Sequence, residues 1–121
     1  MPVDSKPSVD ESVLDSYRAL QEDGQPDVVT EFIDIFLEDL PGRLVRLRSA
    51  VAANELKDVR SAAHALKGSS GSVGAAALSG ICALLEANAR AGSLDGSEHL
   101  LEGIEAEAVR ATTELRKFRR V

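Results

Sequence analysis

The sequence predicts an all-α fold: an antiparallel up-down four-helix bundle with a short additional helix at its N-terminus. Three observations predict it. Apolar residues recur at three- and four-residue steps in every long segment, and no segment alternates with a period of two. Aromatic residues are only 3% of the chain, with no tryptophan, so the core must be built mainly from Ala, Leu and Val, which suits closely approaching helices better than stacked strands. The breaks between periodic segments are short, which makes consecutive helices antiparallel neighbours.

Residues 1–8 carry two prolines among small and polar residues, and are expected to be a disordered lead to a single bundle domain over 9–121. Ser8 with Glu11 has the spacing of a capping box and opens a first helix running to about Glu22, with Val13, Tyr17 and Leu20 inward and Gly24 ending it. Pro26 and Asp27 suit the first turn of a second helix, because proline lacks an N–H that would be unpaired there and an acid favours the positive end. Val29, Phe32, Ile33, Phe36, Leu40, Leu44, Leu47 and Val51 then trace one face. The period continues through Pro41, so the sequence favours one long helix, about 26–53, kinked where proline removes a backbone bond.

Asn54 is expected to cap a third helix whose inner face is Val59, Ala63, Leu66, Ser70 and Val73, with Gly74 as a left-handed terminator. A fourth helix, from near Ala75 to Gly92, buries Leu78, Ile81, Cys82, Leu85 and Ala89. Asp95 with Glu98 reads as a second capping box. The fifth helix follows with Leu101, Ile104, Ala108, Ala111, Leu115 and Phe118 as a narrow apolar seam.

Composition excludes several functions. The 121-residue chain, with 14 basic and 20 acidic residues, carries a net charge of -6, the wrong sign for a nucleic-acid binder. Its one cysteine, Cys82, permits no internal disulfide and reads as a small core residue, so a reducing compartment is the default. No apolar run is long enough to span a membrane, and the first residues lack a signal-peptide core, so a cytoplasmic location is expected. Asp27, Glu31, Asp34 and Glu38 form an acidic stripe best read as a solvated face. The basic tail, Arg110 to Arg120, suits the negative end of the last helix. His99 reads as a surface residue. Two histidines and one cysteine make no zinc pattern, so no metal site is expected. Val28 and Ile35 lie on the flank of the second helix, where they could widen the core or form a docking patch.

The chemistry concentrates between Ala63 and Gly74. With Ala63, Leu66 and Val73 inward, His64 points away from the core. Arg60, Ser61, Lys67 and Gly68 lie one turn from it, with Lys57 and Gly71 two turns away. A neutral imidazole is the side chain most available as a nucleophile near pH 7, and it can accept a phosphoryl group at a ring nitrogen. Lys67 can place an ammonium beside the transferred oxygens. Gly68 removes the side chain that would stand over the ring. A glycine inside a helix costs about 1 kcal/mol relative to alanine, so Gly68 and Gly71 together call for a reason, and close approach of another protein is one. The plain alternatives are a histidine with no role beyond the surface and a Gly68–Ser72 loop that ends the helix at Lys67. The helical spacing of Leu66, Ser70 and Val73 argues against the loop. The run has neither the Gly-Lys-Ser/Thr of a phosphate-binding loop nor the Gly-x-Ser-x-Gly of a hydrolase elbow.

The pattern His64-x-x-Lys67-Gly68-Ser69-Ser70, followed by Gly74 and by Leu84-Leu85-Glu86, resembles the histidine-containing phosphotransfer (HPt) domain of two-component phosphorelays. Phe32 to Pro41 is similar to that family's second-helix signature. The likeness covers roughly residues 10–118, and the fifth helix matches only in length and pattern. The resemblance implies that His64 is phosphorylated, taking the group from an aspartate of one receiver domain and passing it to another. It implies that Lys67 stabilises the phosphoryl charge, that Gly68 clears the docking path, and that Glu86 bonds the ring N–H and leaves the far nitrogen as nucleophile. Arg90, one turn beyond Glu86, would add positive charge, as would Arg60. The expected partners are response-regulator receivers and a hybrid sensor kinase, met transiently by a monomer. No cofactor is expected, Mg²⁺ belonging to the receiver. No nucleotide motif is visible, so a carrier without its own ATP site is expected. A helical adaptor that is never phosphorylated, and an HPt segment of a larger kinase, are the alternatives; Met1 and the lead favour a free-standing protein.

Overall fold

The computed structural model describes residues 7–120, which form five helices in chain order: α1, Glu11–Arg18; α2, Val28–Ala52; α3, Leu56–Ser72; α4, Ala76–Arg90; α5, Ser97–Arg116. No strand occurs among the described residues. α3 packs most extensively on α4. α2 then covers α3, α4 covers α5, and α5 closes back on α2, while α1 lies against α2. This is the four-helix bundle with an extra short helix that the periodicity predicts. Residues 1–6, most of the expected lead, lie outside the described residues.

The core is aliphatic. Ile33, Leu47, Leu66, Leu78, Leu85, Ile104 and Leu115 are fully buried, and Ala63, Ala75 and Ala111 fill the gaps where helices approach. Each side chain of Leu or Ile size removed from water contributes about 1.5–3 kcal/mol, so this interior supplies the main stabilisation. α2 runs unbroken through Pro41, as its apolar period requires. Leu14, absent from the predicted face of α1, is fully buried, whereas Leu20 is 73% exposed.

Several expected boundaries are corrected. The cap of α1 is Asp10, whose carboxylate accepts the Ser12 N–H at 3.1 Å. Ser8 is instead buried against α5, with its N–H donating to Glu114 at 3.1 Å. α1 ends at Arg18, short of Glu22. Pro26 stays outside α2, which Asp27 caps by accepting from the N–H of Thr30 at 3.0 Å. Phe32 is 38% exposed rather than inside. Asn54 does not cap α3. It adopts φ 54°, the left-handed conformation that ends α2, and Glu55 precedes α3 without a side-chain cap bond. Asp95 and Glu98 form no capping box, because Gly96, at φ 75°, occupies the cap position of α5. Left-handed backbone decides two of these cases, Asn54 ending α2 and Gly96 opening α5, while Ser8 is drawn off by its bond to Glu114.

The α3–α4 connection is the most constrained. Gly74 takes φ 77°. The Ala75 N–H donates to the Ser70 carbonyl at 2.8 Å and the Gly74 N–H to the Gly71 carbonyl at 3.1 Å, the two bonds of a Schellman turn. The Asp10 N–H donates to the Gly74 carbonyl at 2.6 Å, and a Cβ at Gly74 would sit 2.6 Å from the Asp10 carbonyl oxygen. Gly74 thus answers both a left-handed φ and a close backbone approach, and α1 braces the turn.

Candidate functional site

α3 is helical through Ser72, so Gly68–Ser72 is not a loop. Its inner face is Val59, Ala62, Ala63, Leu66 and Ser70. That orientation places His64 outward, with 68% of its side chain exposed. Ser70 can be buried because its hydroxyl donates to the Leu66 carbonyl at 2.6 Å.

α4 supplies the counterpart. Glu86 follows Leu85 on the face turned to α3, and only 5% of its side chain is accessible. His64 Nδ1 lies 2.6 Å from Glu86 Oε2. Lys67 Nζ donates to Glu86 Oε1, and an Arg90 guanidinium nitrogen donates to Oε2 at 3.3 Å. One carboxylate therefore holds three side chains. A lone buried carboxylate is costly, and the Lys67 and Arg90 cations, with the ring of His64, are what make this one tenable. The Lys67 hydrogen bond, opposed by burial and aided by His64, holds the Glu86 carboxyl below its ordinary range, so it is ionised near neutrality. An ionised carboxylate only accepts, so the 2.6 Å contact requires a hydrogen on Nδ1. The neutral ring then carries its lone pair on Nε2, the nitrogen turned from Glu86 and toward solvent.

The expected site residues do not all fall alike. His64, Lys67, Glu86 and Arg90 meet in one cluster. Arg60 is exposed on α3 and lines, with Lys57, Ser61, His64, Glu86 and Arg90, an open depression beside the ring. Gly68 is exposed, and a Cβ added there would meet nothing within 4 Å. Gly71 is also exposed, but a Cβ there would touch Ser79 Oγ of α4 at 3.4 Å. Sequence reasoning missed Ser79, whose hydroxyl donates to the Lys67 carbonyl at 3.0 Å. Its signal was available only as spacing, since Ser79 stands two turns before Glu86 on α4.

The flank of α2 resolves into two parts. Val28 packs half-buried against the core, whereas Ile35 is 57% exposed and, with Phe32, Tyr17 and Ser69, borders an apolar groove beside α3. The acidic stripe is partly engaged: Asp27 caps α2, and Asp34 accepts from Arg119 at 2.6 Å and 3.1 Å. No group of three or more metal-type side chains occurs among the described residues. Burial pushes the Cys82 thiol up to about 12, so it is an unreactive core residue. His99 is exposed. No described helix is long and apolar enough to cross a membrane.

Fold and site together define a helical bundle that presents one oriented imidazole on its surface above a buried carboxylate. The Hpt domain family matches residues 31–117, and the chain belongs to that family. It is 31% identical over 101 residues to histidine-containing phosphotransfer protein 2 of Arabidopsis thaliana, covering 81% of this chain and 65% of that protein. It is 38% identical over 69 residues to Arabidopsis protein 5 of the same name, covering 54% and 43%. The chain thus spans less than two thirds of the length of these curated relatives. Among solved structures it resembles histidine-containing phosphotransfer protein B of Pseudomonas aeruginosa PAO1, with a TM-score of 0.83 and 34% identity over 95% of this chain and 96% of that one. A histidine-containing phosphotransfer protein of Medicago truncatula matches with a TM-score of 0.76 and 27% identity over 92% and 76%.

Proposed function

We propose that this protein is a phosphoryl carrier in a two-component phosphorelay, with His64 as the group that is phosphorylated. The observation that carries the reading is the 2.6 Å contact between His64 Nδ1 and a buried, ionised Glu86, which leaves Nε2 as an exposed nucleophile. In the forward step the Nε2 lone pair attacks the phosphorus of a receiver's phosphoaspartate. The N–P bond forms, the P–O bond to the aspartate breaks, and the aspartate leaves as a carboxylate. No proton has to leave Nε2, because none is there. The ring becomes a phosphoimidazolium that keeps its hydrogen on Nδ1, and the Glu86 carboxylate faces that positive charge. Reversal onto a second receiver restores the neutral ring.

Lys67 neutralises charge on the phosphoryl oxygens, and Arg60 and Arg90 add to the local positive field. Gly68 lets the partner's backbone approach the ring. Phosphoryl transfer needs positioning and charge neutralisation more than covalent machinery. The partner receiver supplies the acidic pocket and the Mg²⁺, and this chain supplies the nucleophile. The carrier is charged by receivers downstream of a hybrid sensor kinase rather than by ATP, and it acts as a monomer in the cytoplasm. Positive charge around His64 on a chain of net charge -6 complements a receiver's carboxylates and speeds encounter without tight binding.

Incubation with a phosphorylated receiver tests this. Wild type is expected to take up acid-labile, alkali-stable label, and His64→Gln none. Equal label on the variant would place the acceptor elsewhere. Intact signalling by an unlabelled His64→Gln form would favour the adaptor reading.

A further inference from the structure

Gly71 and Ser79 are not explained by phosphoryl chemistry. His64 and Gly71 lie seven residues apart on α3, and Glu86 and Ser79 lie seven apart on the antiparallel α4. Seven residues are close to two helical turns, so the two pairs are rungs of one ladder. At the upper rung Glu86 meets His64 and Lys67 through side chains. At the lower rung the Ser79 hydroxyl reaches the backbone, donating to the Lys67 carbonyl at 3.0 Å. Ser79 Oγ lies beside Gly71, where an added Cβ would already touch it at 3.4 Å, so a branched side chain at 71 would crowd the hydroxyl.

A backbone acceptor fixes position in a way that a flexible lysine or arginine head does not. Lys67 can follow Glu86 through a shift of α4 by swinging its four-carbon stem. The imidazole of His64 is short and cannot, so a shift of about 1 Å would break a 2.6 Å contact. The Schellman turn at Gly74 sets the hairpin's lower end, and among the described residues between that turn and Glu86 nothing polar other than Ser79 ties α4 to the backbone of α3.

We propose that Ser79 is a positioning residue and that Gly71–Ser79 is the rung that sets the register of α4 on α3. Its function is to keep Glu86 beneath His64 so that the ring stays in the form protonated on Nδ1. The effect on transfer rate rests on the carrier reading above, whereas the effect on the ring does not.

The test reads the His64 ring directly by ¹⁵N–¹H NMR in the full, unphosphorylated chain, far below its melting temperature, with no receiver present. Wild type is expected to show the Nδ1–H form. Ser79→Ala removes the bond without crowding and is expected to lower the ratio of Nδ1–H to Nε2–H forms about fivefold, a factor matching the loss of one ordinary hydrogen bond. Ser79→Thr keeps the hydroxyl and is expected to restore the wild-type ratio. Gly71→Val retains Ser79 but fills its space, and is expected to reproduce the change seen with Ser79→Ala. With a phosphorylated receiver, Ser79→Ala is expected to accept phosphoryl more slowly, in proportion to the fall in the fraction of rings in the Nδ1–H form. A folded Ser79→Ala or Gly71→Val protein with an unchanged ring ratio overturns the proposal. If Ser79→Ala fails to fold, Gly71→Val alone decides it. Should wild type take no label, the carrier reading falls while the ring ratios still test the rung.

Discussion

Two carboxylate–cation clusters in this molecule use the same chemistry in opposite surroundings. Asp34 accepts two bonds from Arg119 at the surface, where α2 meets the chain end. Glu86 lies 5% accessible between α3 and α4 and divides itself among His64, Lys67 and Arg90. The Arg119 bond holds Asp34 below the ordinary carboxyl range, yet water screens the pair and a fork-shaped partner satisfies it. Glu86 has no such closed partnership. Each of its three partners keeps an exposed side, with 68% of the His64 ring, 33% of Lys67 and 57% of Arg90 accessible, so the two cations can turn toward an incoming anion. The first arrangement pins a terminus. The second holds a reactive ring still while leaving its neighbours free to change partner.

Lys67→Ala breaks the buried cluster at the residue proposed to neutralise the transferred oxygens. A roughly hundredfold loss in phosphoryl acceptance is expected, the size seen when one preorganised donor to developing charge is lost. Helicity should be kept, because Lys67 faces solvent on one side; circular dichroism beside the transfer assay checks both. Gly68→Gln leaves the cluster intact and covers the approach to it. About tenfold slower transfer at low receiver concentration is expected, with unchanged helicity, and normal transfer would show that the bare surface is not needed.

Glu86→Gln sharpens the contrast through pH. The folded-state pKa of Glu86 lies below its ordinary value near 4.5, so its stabilisation is fully present above that value and is lost as pH falls through the folded pKa. The stability difference between wild type and Glu86→Gln, followed by denaturant unfolding, should be constant near neutral pH and shrink as the solution is acidified below about pH 4.5. Asp34→Asn is expected to have the smallest effect. The melting temperature should move little and the transfer rate not at all, since Asp34 is solvated and belongs to the far cluster.

The sequence made the helices legible because burial repeats along them. Leu66, Ser70 and Val73 keep helical spacing through two glycines, which argues for an outward His64 and against a Gly68–Ser72 loop, and the helix does run through Ser72. The caps were less legible. Ser8, Asn54 and Asp95 all belong to residue types that favour helix starts, but Asp10, Glu55 and Gly96 hold those positions. Capping side chains are interchangeable locally, and the choice falls to backbone conformation and to distant partners such as Glu114 for Ser8. The site was legible in parts. His64, Lys67 and Gly68 share one helix, so their geometry follows from spacing. Glu86 could be placed opposite them only through the family resemblance, because nothing in a single sequence gives the register between two helices. Ser79 stands two turns before Glu86, but its contact with α3 was hidden for the same reason.

The central claim is that Glu86 holds a hydrogen on Nδ1 and thereby directs the phosphoryl group to Nε2 of His64. ¹⁵N–¹H and ³¹P NMR of the phosphorylated, isotopically labelled protein measure this directly. The account predicts a single phosphohistidine at His64 with phosphorus on Nε2 and a protonated Nδ1. Phosphorus on Nδ1, or on a residue other than His64, would contradict it.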